Sequence, residues 1–172
     1  VKFLNTQDVE DEIDEGVKII NELKAYADTF RRTPVPVSKL RVGLKCGGSD
    51  GFSGITANPL VGRFCDRLAA MSGSCIMTEV PEMFGAEHLL MNRCESREVF
   101  EKTVALINNF KDYYISHNQV VYENPSPGNK KGGITTLEEK SLGCIQKGGL
   151  SAVVDVLDYG DRVSKSGLTL LN

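Results

Sequence analysis

No two of the five cysteines, Cys46, Cys65, Cys75, Cys94 and Cys144, stand in a CxxC pair. That absence, with their odd number, argues against a zinc ribbon or a disulfide-stapled secreted scaffold and points to a reducing compartment. No apolar run approaches the roughly 20 residues that span a bilayer, and no basic-then-apolar leader opens the chain. The expectation is therefore a cytoplasmic protein with no membrane contact. Histidine is scarce as well: only His88 and His117 occur, and neither HExxH nor HxxxH is present. Charge of one sign is also lacking, since 20 Lys plus Arg against 23 Asp plus Glu leave a net charge of -3. Such a balance exerts no global pull on nucleic acid or an anionic membrane. A local basic pocket for a small anion stays open.

The 172 residues, 41% apolar and 25% charged, suffice for one domain with a hydrophobic core. Val9, Ile13, Val17, Ile20 and Leu23 recur at helical spacing in an acidic first segment. Arg31, Arg32 and the stiff Thr33-Pro34-Val35-Pro36-Val37 connector then interrupt the helix. Residues 1–34 thus read as a helical lead-in and connector, and residues 35–172 as an α/β domain. Leu40 to Leu44 reads as a buried strand. A helix starting near Asn58-Pro59 is expected to bury Leu60, Val61, Phe64, Leu68 and Ala69. Cys75 to Thr78 is the next strand, Glu79 to Gly85 a polar loop, and Ala86 to Met91 a short helix. Glu98 to Tyr114 forms a longer helix with Val104, Ile107 and Phe110 on one side. Residues 124–133 read as an irregular loop before a helix capped by Thr135 or Thr136 and ended by Gly148-Gly149. Strands follow at Ala152–Leu157 and Leu168–Leu171. The alternation predicts an α/β, Rossmann-like layered domain, its mostly parallel sheet flanked by helices.

Three stretches carry chemistry. Lys45-Cys46-Gly47-Gly48-Ser49-Asp50-Gly51-Phe52-Ser53-Gly54 follows a strand, where backbone N–H groups can hold an oxyanion. Its spacing fits neither GxxxxGK[ST] nor GxGxxG, so nucleotide binding does not follow. Asp50 could bind a divalent ion or substrate hydroxyls, or cap a turn, and Ser49, Ser53 and Thr56 could donate to oxygens. Cys46 reads as a small buried hydrophobe, a nucleophile or a ligand. In the second stretch, Glu82 lies beyond a strand and could reach the side of Asp50 in a parallel sheet. A carboxylate there can abstract a proton next to a substrate carboxylate, and His88 could be acid, base, ligand or a structural histidine. In the third, Asn129, Lys130 and Lys131 could neutralise a carboxylate, and Thr135 and Thr136 sit at a helix start. Glu138, Glu139 and Lys140 read as ordinary helix surface.

Together these stretches resemble the altronate and galactarate dehydratase family. The likeness rests on KCGGSDGFSGITANP from Lys45, on TEVPEMFGAEHLL from Thr78, and on NPSPGNKKGGITTLEEKSLG from Asn124. The segment around Val154-Asp155-Val156-Leu157-Asp158-Tyr159 also fits. The resemblance is close over residues 35–172 and looser over the first helix.

The resemblance implies a hydro-lyase that dehydrates a sugar acid, with D-altronate going to 2-dehydro-3-deoxy-D-gluconate as the first reading. Galactarate dehydration, sulfite elimination from sulfolactate and a non-catalytic sugar-acid-binding or assembly module are the alternatives. It implies a divalent metal, Fe2+ or Mn2+, for which Cys46, Asp50 and His88 are candidate ligands. It also implies longer complete members with an N-terminal SAF-type domain, so this chain is expected to be a portion that is inactive alone. A homo-oligomer is compatible. For dehydration, the C2 proton leaves to a base and the C3 hydroxyl departs, and the enol ketonises. Asp50, Glu82, His88 and Lys130 are the expected catalytic residues. Ser49, Ser53, Thr56, Asn129 and Thr135 are the expected substrate contacts.

Overall fold

A computed structural model describes all 172 residues and divides them into two units, Val1–Val35 and Pro36–Asn172. In the first, α1 runs Glu12–Ala27, and the Asp11 side chain caps it by accepting from the N–H groups of Ile13 and Asp14. Glu12, Asp14 and Glu15 in the first turn and Lys24 in the last complement the helix dipole. The predicted apolar stripe exists, yet no residue of α1 is buried, and Ile13, Val17, Ile20 and Leu23 are exposed.

The second unit is an α/β fold around a four-stranded, wholly parallel sheet. Its strands are β1 (Arg41–Leu44), β2 (Ser74–Met77), β3 (Val153–Leu157) and β4 (Gly167–Leu171), in the order β1-β2-β4-β3. Arg41 pairs with Ser74 and Ser74 with Gly167, so three strands begin level. All four residues of β2 are buried, as a parallel sheet covered on both faces demands. Helix α2 (Ala57–Ala70) connects β1 to β2. Helices α3 (Glu87–Met91), α4 (Arg97–Ser116), α5 (Pro127–Lys131) and α6 (Leu137–Cys144) lie between β2 and β3. No helix fills the last crossover. Residues 158–166 instead return to the strand starts, where Val163 O accepts from Arg41 Nε at 3.1 Å and Lys165 O from Ser74 Oγ at 2.8 Å. The core gathers Leu68, Met77, Val80, Met83, Phe84, Leu90, Ile107, Val153, Leu168 and Leu170. Phe110 meets Phe84 and Tyr114 edge-on, at centroid distances of 6.4 and 5.5 Å.

Three local expectations are corrected. Helix α2 buries Leu68 as expected but turns Leu60 and Phe64 to solvent and buries Asn58, Gly62 and Cys65 in their place. Its partner explains this, because α2 packs against the turn Ile145–Gly148 that prolongs α6, and only a small-residue stripe permits that approach. A Cβ on Gly54 would stand 2.9 Å from Gly143 Cα, and one on Gly62 would strike the Gln146 carbonyl. The stretch Glu79 to Gly85 is no solvated loop: it holds the tight turn Val80–Met83, and Val80, Glu82, Met83 and Phe84 are buried. Residues 124–133 are also partly regular. Ser126 and Asn129 form a reciprocal capping box that starts α5.

Gly62→Ala should destabilise the protein by about 1–3 kcal/mol through overpacking. Gly47→Ala, where a Cβ meets nothing within 4 Å, should change stability by less than about 0.5 kcal/mol. Urea denaturation of the two variants checks the contrast.

Candidate functional site

The site lies beyond the carboxyl ends of β1 and β2, where parallel sheets gather their ligand-binding loops. Leu44 ends β1, and the glycine-rich stretch leaves from it. Thr78 Oγ1 closes the gap to β2 by donating to Leu44 O at 3.0 Å. Glu79 takes a left-handed backbone (φ 64) without being glycine, and its carboxylate accepts from the Cys46 N–H at 2.8 Å. Such backbone strain in a non-glycine residue concentrates at functional sites. The loop and the turn after β2 are thereby tied together.

The third stretch is stitched onto the first. Asn129 Nδ2 donates to Ser49 O at 2.9 Å, and the Gly51 N–H donates to Gly132 O at 2.8 Å. A side chain at Gly132 would crowd Asp50, its Cβ standing 3.1 Å from the Asp50 Cβ. Thr136 caps α6 by accepting from the Glu139 N–H, while Glu139 accepts from the N–H and hydroxyl of Thr135. Capped in this way, α6 carries Lys140 and Cys144 to the loop, and its extension carries Lys147.

Glu82 sits at the centre. Lys140 Nζ lies 3.3 Å from one of its oxygens and Lys147 Nζ 3.4 Å from the other, with all three side chains about nine-tenths buried. Burial opposes ionisation of Glu82. The Cys144 thiol beside it and the Lys147 and Lys140 ammoniums outweigh that effect and hold its carboxyl below the usual range. Lys140 also donates to Asn124 Oδ1 at 3.0 Å and Asn129 Oδ1 at 3.1 Å. Burial, followed by the Glu82 charge, pushes the Cys144 thiol up to about 12. Ser49 Oγ stands between two sulfurs, 2.8 Å from Cys46 Sγ and 3.8 Å from Cys144 Sγ. One donor atom each from Cys46, Glu82 and Cys144 falls within 4.8 Å of the others. Both Glu82 oxygens already face ammoniums, so of the three donors only the two sulfurs lack a charged partner of opposite sign.

Of the residues singled out from sequence, Ser49, Asn129 and Glu82 join this assembly. Asp50 and Ser53 lie on the neighbouring crevice, which measures about 40 Å³ and is also lined by Lys140 and Cys144. Asp50 is exposed and shapes its own turn. The Ser53 hydroxyl, then the N–H groups of Phe52 and Ser53, hold its carboxyl below the ordinary range. Thr56 Oγ1 donates to Phe52 O at 2.8 Å, and Thr135 is engaged by Glu139. Lys130 is exposed on α5, and His88 is exposed in the first turns of α3.

Lys140, Cys144 and Lys147 were not singled out, and Lys140 is no ordinary surface lysine. A signal for them exists in the spacing: 140, 144 and 147 fall on one helical stripe. That stripe reads as solvated until a buried carboxylate from another element is known to meet it.

The comparisons with known proteins agree on one family. The profile for D-galactarate/altronate dehydratase, C-terminal, matches residues 37–172. Over its whole length the chain is 61% identical to an altronate dehydratase of Bacillus subtilis and 55% identical to one of Escherichia coli, spanning 35% of each. It is 44% identical over 138 residues to an Escherichia coli galactarate dehydratase (L-threo-forming), covering 80% of this chain and 26% of that protein. The chain belongs to the D-galactarate/altronate dehydratase family, and it spans about a third of the length of the two altronate dehydratases.

Glu82→Gln strands two buried ammoniums and should cost about 3–5 kcal/mol, whereas Lys147→Met leaves Glu82 paired to Lys140 and should cost clearly less. Denaturant midpoints of the two variants test that asymmetry.

Proposed function

We propose that the protein to which this chain contributes is a sugar-acid hydro-lyase acting on D-altronate, and that residues 36–172 form the wall receiving the substrate carboxylate. The observation that carries this reading is the buried Lys140–Glu82–Lys147 set. Two ammoniums against one carboxylate leave one positive charge where water screens poorly, and a carboxylate ligand balances it. Family membership supports dehydration as the chemistry. The altronate dehydratase names of the two relatives matched over the whole of this chain favour altronate over galactarate.

In this mechanism Lys140 and Lys147 bind the C1 carboxylate and stabilise the second negative charge that develops on it as the C2 proton leaves. Glu82 takes that proton. In the resting site the two ammoniums depress its proton affinity; once the substrate carboxylate shares them, Glu82 regains basicity where the proton must be accepted. His88 is the alternate base. Asp50, Ser49 and Ser53 line the crevice offered to the sugar hydroxyls, while the side chains of Thr56, Thr135 and Asn129 are engaged by Phe52 O, Glu139 and Ser49 O. The C3 hydroxyl departs as water, and the enol ketonises to the 2-keto-3-deoxy acid. A divalent ion, implied by the family resemblance, would be held by the Cys46 and Cys144 sulfurs and supplies, when bound, a Lewis acid beside the leaving hydroxyl.

The test gives metal-reconstituted full-length protein D-altronate and galactarate separately and measures keto-deoxy acid. Altronate should be the better substrate, and no product from either acid overturns the reading. Lys147→Met should raise KM by roughly tenfold or more, the loss of about one charge-assisted contact. Glu82→Gln should lower kcat by roughly 100-fold or more, the usual range for a general base. Should His88→Asn show that loss instead, the proton acceptor is His88. Asp50→Asn with unchanged activity removes Asp50 from the site.

A further inference from the structure

Helix α1 is 16 residues long and buries none of them. Ile13, Val17, Ile20 and Leu23 recur on one face and are 72%, 50%, 64% and 44% exposed. Glu15, Lys18 and Glu22 fall on the opposite face, where Lys18 pairs with Glu15 and Lys2 with Glu22. A lone helix of this length is marginal in water and draws its stability from packing an apolar stripe against a partner. Residues 1–35 contain no such partner for α1.

We propose that this face of α1 is seated against the polypeptide that precedes residue 1 in the full-length protein, in an apolar groove whose rim is basic beside residues 8–15. Three observations select that occupant. The first is where the family regions divide. The C-terminal profile begins at residue 37, yet both altronate dehydratases match over all 172 residues, α1 included. Residues 1–35 therefore belong to what comes before the C-terminal region, and the stiff Thr33-Pro34-Val35-Pro36 segment sets them apart from it. The match spans 35% of each relative, so about two thirds of each lies outside it.

The second observation is the path of the chain. Residues 1–4 run back along α1: Lys2 Nζ meets Glu22 Oε2 at 2.5 Å, and Leu4 Cδ2 stands 3.9 Å from where a Cβ on Gly16 would lie. The polypeptide arriving at Val1 is thus delivered beside the second half of the helix. A segment joined there acts at an effective concentration of about millimolar, which a second copy reaches only in concentrated solution. Charge is the third. Six of the eight residues from Asp8 to Glu15 are acidic. A second copy laid parallel would set this segment against itself, like charge on like, whereas basic side chains of a different segment complement it.

The test uses the full-length protein with p-benzoylphenylalanine in place of Val17 or of Ile20, and in place of Lys18 as the outward-facing control. Irradiation of the first two should give an adduct that keeps the mass of one chain on a denaturing gel, its acceptor peptide lying before residue 1. An adduct of twice that mass makes the occupant a second copy and overturns the proposal. Acceptor peptides at or beyond residue 36, or yields no higher than at Lys18, overturn it as well. Ile20→Glu gives a readout that needs no photochemistry. Amides of α1 in wild type should exchange roughly 100-fold more slowly than in this variant. The faster exchange should spread to the segment before residue 1 and leave β2 and β4 unchanged. Equal exchange in the two proteins overturns the proposal. Sugar-acid turnover enters none of these readouts, so their outcome is independent of the hydro-lyase reading.

Discussion

The site depends on a backbone contact that side chains would prevent. Gly54 lies against Gly143, and Gly62 against the Gln146 carbonyl and Gly149, so the loop before α2 and α2 itself touch the end of α6 and its extension through their main chains. Gly149 has φ 57 and has no room for a Cβ beside Asp66. Asp66 Oδ1 then accepts from the N–H groups of Leu150 and Ser151 and from the Ser151 hydroxyl. Arg93 donates to the Gly149 carbonyl from the other side. Held in this way, the turn Ile145–Gly148 cannot drift, and Cys144 and Lys147 keep their distances to Glu82 and Ser49. Close packing converts small residues into positional accuracy.

A second constraint is electrostatic. A buried ion pair seldom stabilises more than well-packed apolar residues of the same size, because desolvating the charges offsets their attraction. Two buried lysines around one glutamate are less favourable still. The fold accepts that cost where three separate elements converge: the turn after β2, α6, and its extension. Strained Glu79 adds to it. Concentrated cost of this kind marks a functional site better than any one residue does.

Much of this was legible in the chain. Strand positions were readable from short apolar runs that end at glycine or polar residues, and the parallel arrangement from their alternation with helices. What could not be read was which face of α2 turns inward. Leu60 and Phe64 look like core residues until the partner is known to be a backbone turn, for which Gly62 is the better fit. The loop motifs announced Ser49, Glu82 and Asn129, since glycine, proline and asparagine clusters constrain the chain locally. Lys140 and Lys147 carried no local mark. A lysine in a helix reads as solvated, and only contact with a carboxylate fifty-eight or more positions earlier reveals that it is buried. Spacing discloses local structure, whereas charge compensation is a property of the assembled fold.

Size bounds what this wall can enclose. The crevice between the glycine loop and α6 holds about 40 Å³, well below the roughly 300 Å³ at which ligand pockets begin. A six-carbon acid does not fit inside it, but a carboxylate group or a metal ion does. On the proposed reading, recognition of the acidic end falls to this wall, where charge is concentrated. Reading of the distal hydroxyls calls for an opposing surface. On the proposed reading, that division accounts for one C-terminal region in relatives named for altronate and for galactarate: both acids would present a carboxylate to the lysine pair and would differ at carbons this wall does not enclose.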